Sequence, residues 1–135
     1  MREHKFRGKT KSHFGDGQGN VVIPKNTWIY GGITYDEDRV WIDTKYYGQI
    51  IVDKETVGQF TGLHDKNGQE IYEGDIVELK AENGCCNMLG KIIYDNYDLA
   101  FELIDEEGNQ EALWYAEQEL EVIGNIYENP ELLEE

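Results

Sequence analysis

The 135-residue sequence has few of the residues on which several common chemistries depend. It has two cysteines, which are adjacent at Cys85 and Cys86, three scattered histidines and a single serine, Ser12. Neighbouring cysteines do not form an ordinary structural disulfide, because the Cα atoms of a disulfide prefer a wider spacing. No histidine or C-x-x-C spacing completes a zinc site, and no base is arranged around Ser12. The sequence therefore predicts no disulfide, no metal, no cofactor and no catalytic residue, and we expect a protein that is not an enzyme.

Long apolar runs are also missing. No stretch approaches the roughly 20 residues of a membrane span. The first ten residues, MREHKFRGKT, have no apolar core like that of a signal peptide. Together with the cysteine pattern, this favours a reducing cytoplasm and no membrane partner.

Basic residues are scarce, at 12 Lys and Arg against 28 Asp and Glu, for a formal net charge of −16. Residues 1–25 carry six basic and two acidic residues, a net charge of +4, and the remainder carries −20. A basic arm therefore precedes an acidic body. The body should repel the phosphates of nucleic acids, whereas arm and body could attract each other between chains of a homo-oligomer.

Fifteen glycines, nine tyrosines and only two prolines, with short β-rich runs between turn signals, predict an all-β protein. The run TWIYGGITY is interpreted as a strand broken at Gly31-Gly32, and residues 13–20 as a loop. Asn129 and Pro130 are typical of a helix start, with Asn as the cap. The other predicted strands lie at about 5–9, 21–24, 39–44, 46–52, 59–63, 70–79 with a turn at Glu73-Gly74, 89–95, 99–104, 110–115 and 121–129, with one helical turn at 116–120. Alternation in RVWIDT predicts Val40 and Ile42 on one face and Trp41 on the other.

The stretch TGLHDKNGQEIYEGDIV (61–77) is dense in oxygen-bearing side chains, which makes calcium binding one hypothesis. The EF-hand spacing is absent, since Gly68 falls at the fourth position of such a loop rather than the sixth. Turn chemistry accounts for the same residues, because Asp and Asn bond to nearby backbone and Asn-Gly tolerates positive φ. We therefore interpret the stretch as a hairpin followed by a bend at Gly74, which Asp75 fixes by accepting backbone N–H bonds.

The order of predicted elements suits a C-terminal SH3-like, partly open barrel with short helical turns at most. The predicted domains are an N-terminal β-lobe with the basic arm, residues 1–58, and the barrel with a short tail, residues 59–135.

Several segments closely resemble the YopX family of phage and prophage proteins: MREHKFR, VGQFTGLHDKNGQEIYEGDIV, GKIIYD and LEVIGNIYENPELLEE. The family usually continues after Phe6-Arg7 with Ala-Trp-Asp, whereas this chain has Gly8-Lys9-Thr10. The resemblance implies a small β-rich protein in the cytoplasm of a bacterial host, and it implies no transferable activity. Residues 8–56 are the variable part.

The predicted function is a non-enzymatic interaction protein that acts on a host or phage protein. The alternative is a nucleic-acid-binding accessory protein that uses the arm and the aromatic-rich lobe, where base stacking is worth about 1–3 kcal/mol per base beside a positive groove. Imitation of DNA by acidic clusters is a third idea, and a merely solvated acidic surface explains those clusters more simply. The predicted interaction residues are Arg2, Lys5, Arg7, Lys9, Lys11, Trp28, Trp41 and Tyr46.

Overall fold

A computed structural model describes residues 4–81, 84, 87–113 and 119–134 of the chain. The chain divides into two compact units, Met1–Phe60 and Thr61–Glu135, and the predicted domain boundary lies two residues earlier. Apart from a 3-10 helix at Pro130–Leu133, the described elements are strands, which confirms the all-β class. The strands are β1 Phe6–Thr10, β2 Phe14–Gly15, β3 Val21–Ile23, β4 Trp28–Tyr35, β5 Val40–Thr44, β6 Gly48–His64, β7 Glu70–Tyr72, β8 Asp75–Leu79, β9 Met88–Asp95, β10 Ala100–Ile104, β11 Gln110–Ala112 and β12 Leu120–Asn125. No helix in the described part of the chain is long and apolar enough to cross a bilayer.

The sheet of the first unit curls back on itself. Strands β1, β4, β5 and β6 pair in that order, all antiparallel, and β1 also pairs with β6. The pairing of β1 with β6 shifts register between Arg7 and Lys9, where an irregular stretch of β6 bends the ladder. The basic arm of the prediction is therefore largely a sheet strand that is hydrogen-bonded on both sides.

Alternation along these strands sorts side chains into an inner and an outer face. Ile42 is fully buried while Asp43 beside it is exposed, as the pattern of RVWIDT predicted. Ile29, Ile42, Ile50 and Val52 form the buried core of the first unit. Trp28, Tyr30 and Trp41 occupy positions that alternate with these core residues, so they belong to the outer face.

The second unit contains a five-stranded antiparallel sheet in the order β11-β10-β9-β8-β12. A meander of four strands is thus followed by a last strand beside the first, which is the order that the predicted barrel requires. The edge strands β11 and β12 do not pair with each other among the described residues, so the barrel-like arrangement is partial. The SH3-like label stays a prediction. The core of this unit comprises Ile71, Val77, Leu79, Ile92, Leu103, Leu113 and Leu120.

The corner between β6 and β8 is built by turn chemistry. Oδ1 of Asp65 accepts the backbone N–H of Asn67 and of Gln69, each at 2.9 Å, and Oδ2 accepts Val122 N–H at 3.0 Å. Gly68 and Gly74 both have positive φ, and Oδ2 of Asp75 accepts Tyr72 N–H at 2.8 Å. The predicted hairpin, the bend and the bracing aspartate are confirmed.

The same turn recurs elsewhere. Asp16 and Asp105 each begin a five-residue turn in which Oδ1 accepts two backbone N–H groups, as Asp65 does. Hydrogen bonds from Asn20 and from Asn109 respectively are the main reason that the pKa of each carboxyl lies below its usual value. Several of the acidic residues therefore stabilise turns by accepting backbone N–H bonds.

Four details of the sequence prediction were wrong. Strand β4 continues through Gly31-Gly32, and the strands predicted at 46–52 and 59–63 are parts of one strand, β6, which begins at Gly48 after a turn and is 17 residues long. Phe14–Gly15 pair with β3 inside the predicted loop. The side chain of Asn129 does not cap the 3-10 helix, because its Oδ1 accepts the N–H of Asn125. Cys85, Cys86 and most of the helical turn predicted at 116–120 lie outside the described residues.

Candidate functional site

The charge of the protein is segregated between the two units. Residues 1–60 contain nine Lys and Arg and eight Asp and Glu, a net charge of +1, whereas residues 61–135 contain three and 20, a net charge of −17. The first unit is therefore nearly neutral as a whole, although it begins with the basic arm, and almost all of the negative charge lies in the second unit. The two units therefore offer different kinds of surface to a partner.

A basic and aromatic face lies on the outer side of β1 and β4. Arg7 is paired with Tyr30 and Lys9 with Trp28, and directly opposed residues of an antiparallel pair share a face. The guanidinium carbon of Arg7 lies 4.3 Å from the centroid of the Trp28 ring, and Lys9 Nζ lies 5.3 Å from it. Arg7 is only 6% exposed, because stacking on the indole covers it. The structure thus brings together three of the predicted interaction residues, Arg7, Lys9 and Trp28.

The other predicted interaction residues are dispersed. Lys5 Nζ lies 5.3 Å from the centroid of the Phe60 ring, and Lys11 is exposed just beyond β1. Trp41 stacks with Arg39 at 5.1 Å, and the Tyr46 ring lies 5.5 Å from Lys45 Nζ. Arg2 lies outside the described residues. Among the described residues, Trp41 and Tyr46 therefore stack with basic side chains other than those beside Trp28.

A second surface, the hairpin patch, consists of Val21, Val22, Tyr46 and Tyr47. Val21 and Tyr47 are about half exposed, Val22 is 38% exposed and Tyr46 is 81% exposed. Phe14 connects the two segments that carry these side chains, because its ring packs edge-on against Tyr47 with centroids 5.7 Å apart and its backbone pairs with Ile23 at the end of β3. Tyrosine offers a large apolar ring with a polar tip, which suits protein interfaces.

A third feature, the carboxylate cluster, lies in the second unit and consists of Asp95, Asp98 and Glu102. Asp95 ends β9, Asp98 lies in the turn, and Glu102 is on β10. The register pairs Asp95 with Ala100, two residues before Glu102, so the two acids are diagonal neighbours on one face of the sheet. One oxygen of each of the three carboxyl groups can be chosen so that all lie within 4.8 Å of one another.

Glu102 is the unusual member of this cluster, because it is 7% exposed although it faces away from the core. The core side of β9 and β10 carries Ile92 and Leu103, whereas Glu102 is flanked by Ile93 and Ala112. Its Oε1 is buried and has no hydrogen-bond partner in the described part of the chain. Burial beside apolar neighbours, followed by hydrogen bonds to Asp95 and Asp98 that require a proton, raises the pKa of Glu102 to about 7.

Asp95 is held in place by its neighbours. Oδ1 accepts the backbone N–H of Tyr97 at 2.7 Å and of Asp98 at 3.3 Å, and Oδ2 accepts Gln110 Nε2 at 3.1 Å. The bond from Tyr97 is the main reason that the pKa of Asp95 is lowered, and a bond from Glu102 adds to it. The pKa values of the two neighbours are thus shifted in opposite directions, that of Asp95 downward and that of Glu102 upward.

The family model described as YopX protein matches residues 6–134, which include all three surfaces. The chain belongs to the YopX family. No curated protein matches it.

Among solved structures, this YopX-family chain is similar to the crystal structure of protein EF1440 from Enterococcus faecalis. The two sequences are 25% identical, and the match covers 99% of this chain and 100% of the other, with a TM-score of 0.47.

The carboxylate cluster of this YopX-family chain was missed at the sequence level. The motif YDNYD, followed by Glu102 in LAFELI, contained the necessary signal, because a hairpin of this length places Asp95 and Glu102 on one face. In a chain with 28 acidic residues, however, nearby carboxylates are common and no single pair stands out. The burial of Glu102 singles it out, and burial on the outer face of a sheet is not visible in an alternating pattern.

The raised pKa predicts how Glu102 affects the stability of the YopX-family chain in the absence of divalent cations. Below pH 4.5 the carboxyl is protonated in the folded and the unfolded chain, so it contributes nothing. As the pH rises toward 7, only the unfolded chain ionises, and the folded state is penalised until the penalty is complete above that pH. Glu102→Gln should therefore stabilise the protein by about 2 kcal/mol at about pH 8 and by about half as much at about pH 5.5.

Urea denaturation in the presence of a chelator, followed by circular dichroism at both pH values, measures this effect. Glu107→Gln removes an exposed charge from the adjacent turn and is the matched control, for which we expect no comparable gain. Equal stability of Glu102→Gln and the wild type at about pH 8 would contradict the raised pKa.

Proposed function

We propose that this YopX-family protein is a non-enzymatic interaction protein that binds another protein through the hairpin patch of its first unit. The proposal rests on the exposure of Val21, Val22, Tyr46 and Tyr47 around a single aromatic contact. Large exposed apolar side chains gathered in one place are a typical mark of a binding surface, whereas single ones are ordinary. The partner, of host or phage origin, is met in the bacterial cytoplasm.

The charge distribution supports a protein partner that carries a basic region. The first unit has almost no net charge, so it does not repel a partner of either sign. The second unit has a net charge of −17, which attracts cationic side chains and speeds association at low salt. An apolar pocket on the partner suits the hairpin patch, and basic side chains on the partner are attracted by the net charge of the second unit. The strength of binding at the hairpin patch should change little as salt is added. The rate of association should fall as salt is added, because salt screens the attraction between charges.

The hairpin patch is tested by substitution of one exposed ring. Tyr46→Ser should weaken capture of the partner at least about tenfold, because exposed tyrosines at the centre of interfaces often contribute 2 kcal/mol or more. Since Tyr46 is 81% exposed, folding should be unaffected. The measurement is affinity capture from a bacterial lysate with quantitative mass spectrometry, followed by titration of the purified partner.

Two matched controls separate the patch from tyrosines in general. Tyr35→Ser changes a residue that is 73% exposed at the opposite end of the β4–β5 hairpin, and Tyr97→Ser changes one that is 95% exposed in the second unit. Both should capture the partner as the wild type does. If either control loses the partner while Tyr46→Ser retains it, the hairpin patch is not the binding surface. Recovery of only the chain itself would support self-association instead.

A second candidate function, binding to nucleic acid, is favoured by the face on β1 and β4. Arg7, Lys9, Trp28 and Tyr30 share that face, and the unit that carries it is not acidic overall. Fluorescence anisotropy with a labelled single-stranded oligonucleotide at about 50 and 200 mM salt distinguishes the two functions. Under the protein-binding proposal no binding remains at the higher salt. Tight binding that is lost in Lys9→Glu would favour nucleic acid.

A further inference from the structure

The acidic side chains of the second unit fall into two groups with different surroundings. Those that organise turns, such as Asp65 and Asp105, accept backbone N–H bonds and are thereby neutralised locally. The carboxylate cluster differs, because it places the buried carboxyl group of Glu102 beside those of Asp95 and Asp98, and no basic side chain belongs to the group. A cation bound between these three carboxyl groups would compensate their negative charge.

We propose that Asp95, Asp98 and Glu102 form a binding site for a hard divalent cation, with Ca²⁺ as the preferred ion. The site is in the second unit, and the proposal is independent of the hairpin patch.

The spacing fits an ion of this size. Ca²⁺ binds oxygen at about 2.3–2.6 Å, so two ligands on opposite sides of it are about 4.6–5.2 Å apart. One oxygen from each of Asp95, Asp98 and Glu102 can be chosen so that the three lie within 4.8 Å of one another. An ion between them therefore requires little movement of the backbone, and water completes the coordination on the exposed side of Asp98.

The buried oxygen of Glu102 is the observation that separates this cluster from a chance group of surface acids. The side chain is 93% buried, as its 7% exposure shows, and its Oε1 has no partner in the described part of the chain. A buried acceptor without a donor is costly. Glu102 lies on the same face as Asp95 and one of its carboxyl oxygens belongs to the cluster, so a cation held by these groups supplies a partner to the buried carboxylate.

The donor set determines the class of ion. All three ligands are carboxylates, with no histidine or thiolate, which favours Ca²⁺, Mg²⁺ or Mn²⁺ over zinc or copper. Ca²⁺ is preferred over Mg²⁺ because it accepts irregular coordination by several carboxylates, whereas Mg²⁺ demands near-octahedral geometry at about 2.0–2.1 Å and gives up its water reluctantly. The bonds from Tyr97 and Gln110 orient Asp95, as outer-shell donors do in metal sites.

Calorimetric titration of the chelator-treated full chain with CaCl₂ tests the proposal. We expect one Ca²⁺ per chain with a dissociation constant below about 1 mM, and a rise of several degrees in the unfolding temperature. Glu102→Gln and Asp98→Asn should each weaken binding at least about tenfold and abolish the rise. Asp98 is exposed, so its variant tests the ligand set without disturbing a buried position.

Glu107→Gln is the matched control, because it removes one exposed carboxylate from the neighbouring turn of the same acidic unit. It should bind Ca²⁺ as the wild type does. No binding by the folded wild type, equal losses in all three variants, or no loss in Glu102→Gln and Asp98→Asn would each overturn the proposal. Competition with MgCl₂ should require a concentration at least about tenfold higher, and equal potency would overturn the preference for Ca²⁺.

Discussion

Asp65→Ala is expected to lower the free energy of unfolding by about 4 kcal/mol, the largest effect of the substitutions considered. The carboxylate is 5% exposed and accepts three backbone N–H bonds, two within its own turn and one from Val122 on β12. Hydrogen bonds to charged groups contribute about 1.5–3 kcal/mol each, and alanine leaves the three donors unpaired. A loss of this size is a large part of the stability of a typical domain, about 5–15 kcal/mol.

Asp105→Ala is the matched control for Asp65→Ala. Its turn has the same pattern, with Gly108 at a φ of 89° where the first turn has Gly68 at 84°. The donors to Asp105 that the structure describes, Glu107, Gly108 and Asn109, all belong to its own turn, and water can replace it there. Urea denaturation followed by circular dichroism should show a loss below about 1 kcal/mol for this variant. Similar losses in both variants would mean that the bond to Val122 contributes little.

Gly31→Ala is expected to destabilise the first unit by about 3 kcal/mol. A Cβ atom at this position would overlap the backbone carbonyl oxygen of Asp43 on the adjacent strand, and no side-chain rotation relieves a clash with backbone. The ladder between β4 and β5 would have to open, which exposes the core residue Ile42. Hydrogen exchange should show faster exchange at β4 and β5, together with a lower urea midpoint.

The neighbouring Gly32→Ala is an internal control. Its Cβ would meet the side-chain oxygen of Asp43 at 3.4 Å, which is ordinary contact. Alanine also loses less conformational freedom on folding than glycine, so Gly32→Ala should be neutral or slightly stabilising. The two variants differ by one position in the sequence. A larger loss for Gly32→Ala than for Gly31→Ala would show that the strand register is different.

Turn chemistry and alternation were the parts of the fold that the sequence predicted well. The bends at Gly68 and Gly74, the bracing by Asp75 and the inner position of Ile42 all follow from local rules that act over a few residues. Strand β1 pairs with β4 on one side and with β6 on the other. These partners are about 20 and 50 positions away in the sequence, so no local pattern encodes the pairing. The break predicted at Gly31-Gly32 was wrong for the same reason, since glycine is required at Gly31 by the close approach of another strand.

The candidate sites show the same limit. The sequence selected basic and aromatic residues by type, and the structure unites only Arg7, Lys9 and Trp28. The hairpin patch depends on the packing of Phe14 against Tyr47, 33 residues later, and the carboxylate cluster on the burial of Glu102. Tertiary structure sets both, and composition reveals neither. Whether the protein is an enzyme stays a prediction.

The boundary between the two units lies inside strand β6, which runs from Gly48 to His64 without a break. Proteases cut most readily at exposed loop tips, where the chain can enter the enzyme in an extended form. A continuous strand offers no such point at residue 60, so limited digestion should not release the halves as separate fragments. The first cuts are expected at exposed turns such as Gly17–Gly19. A protein shortened to either unit would begin or end in the middle of β6.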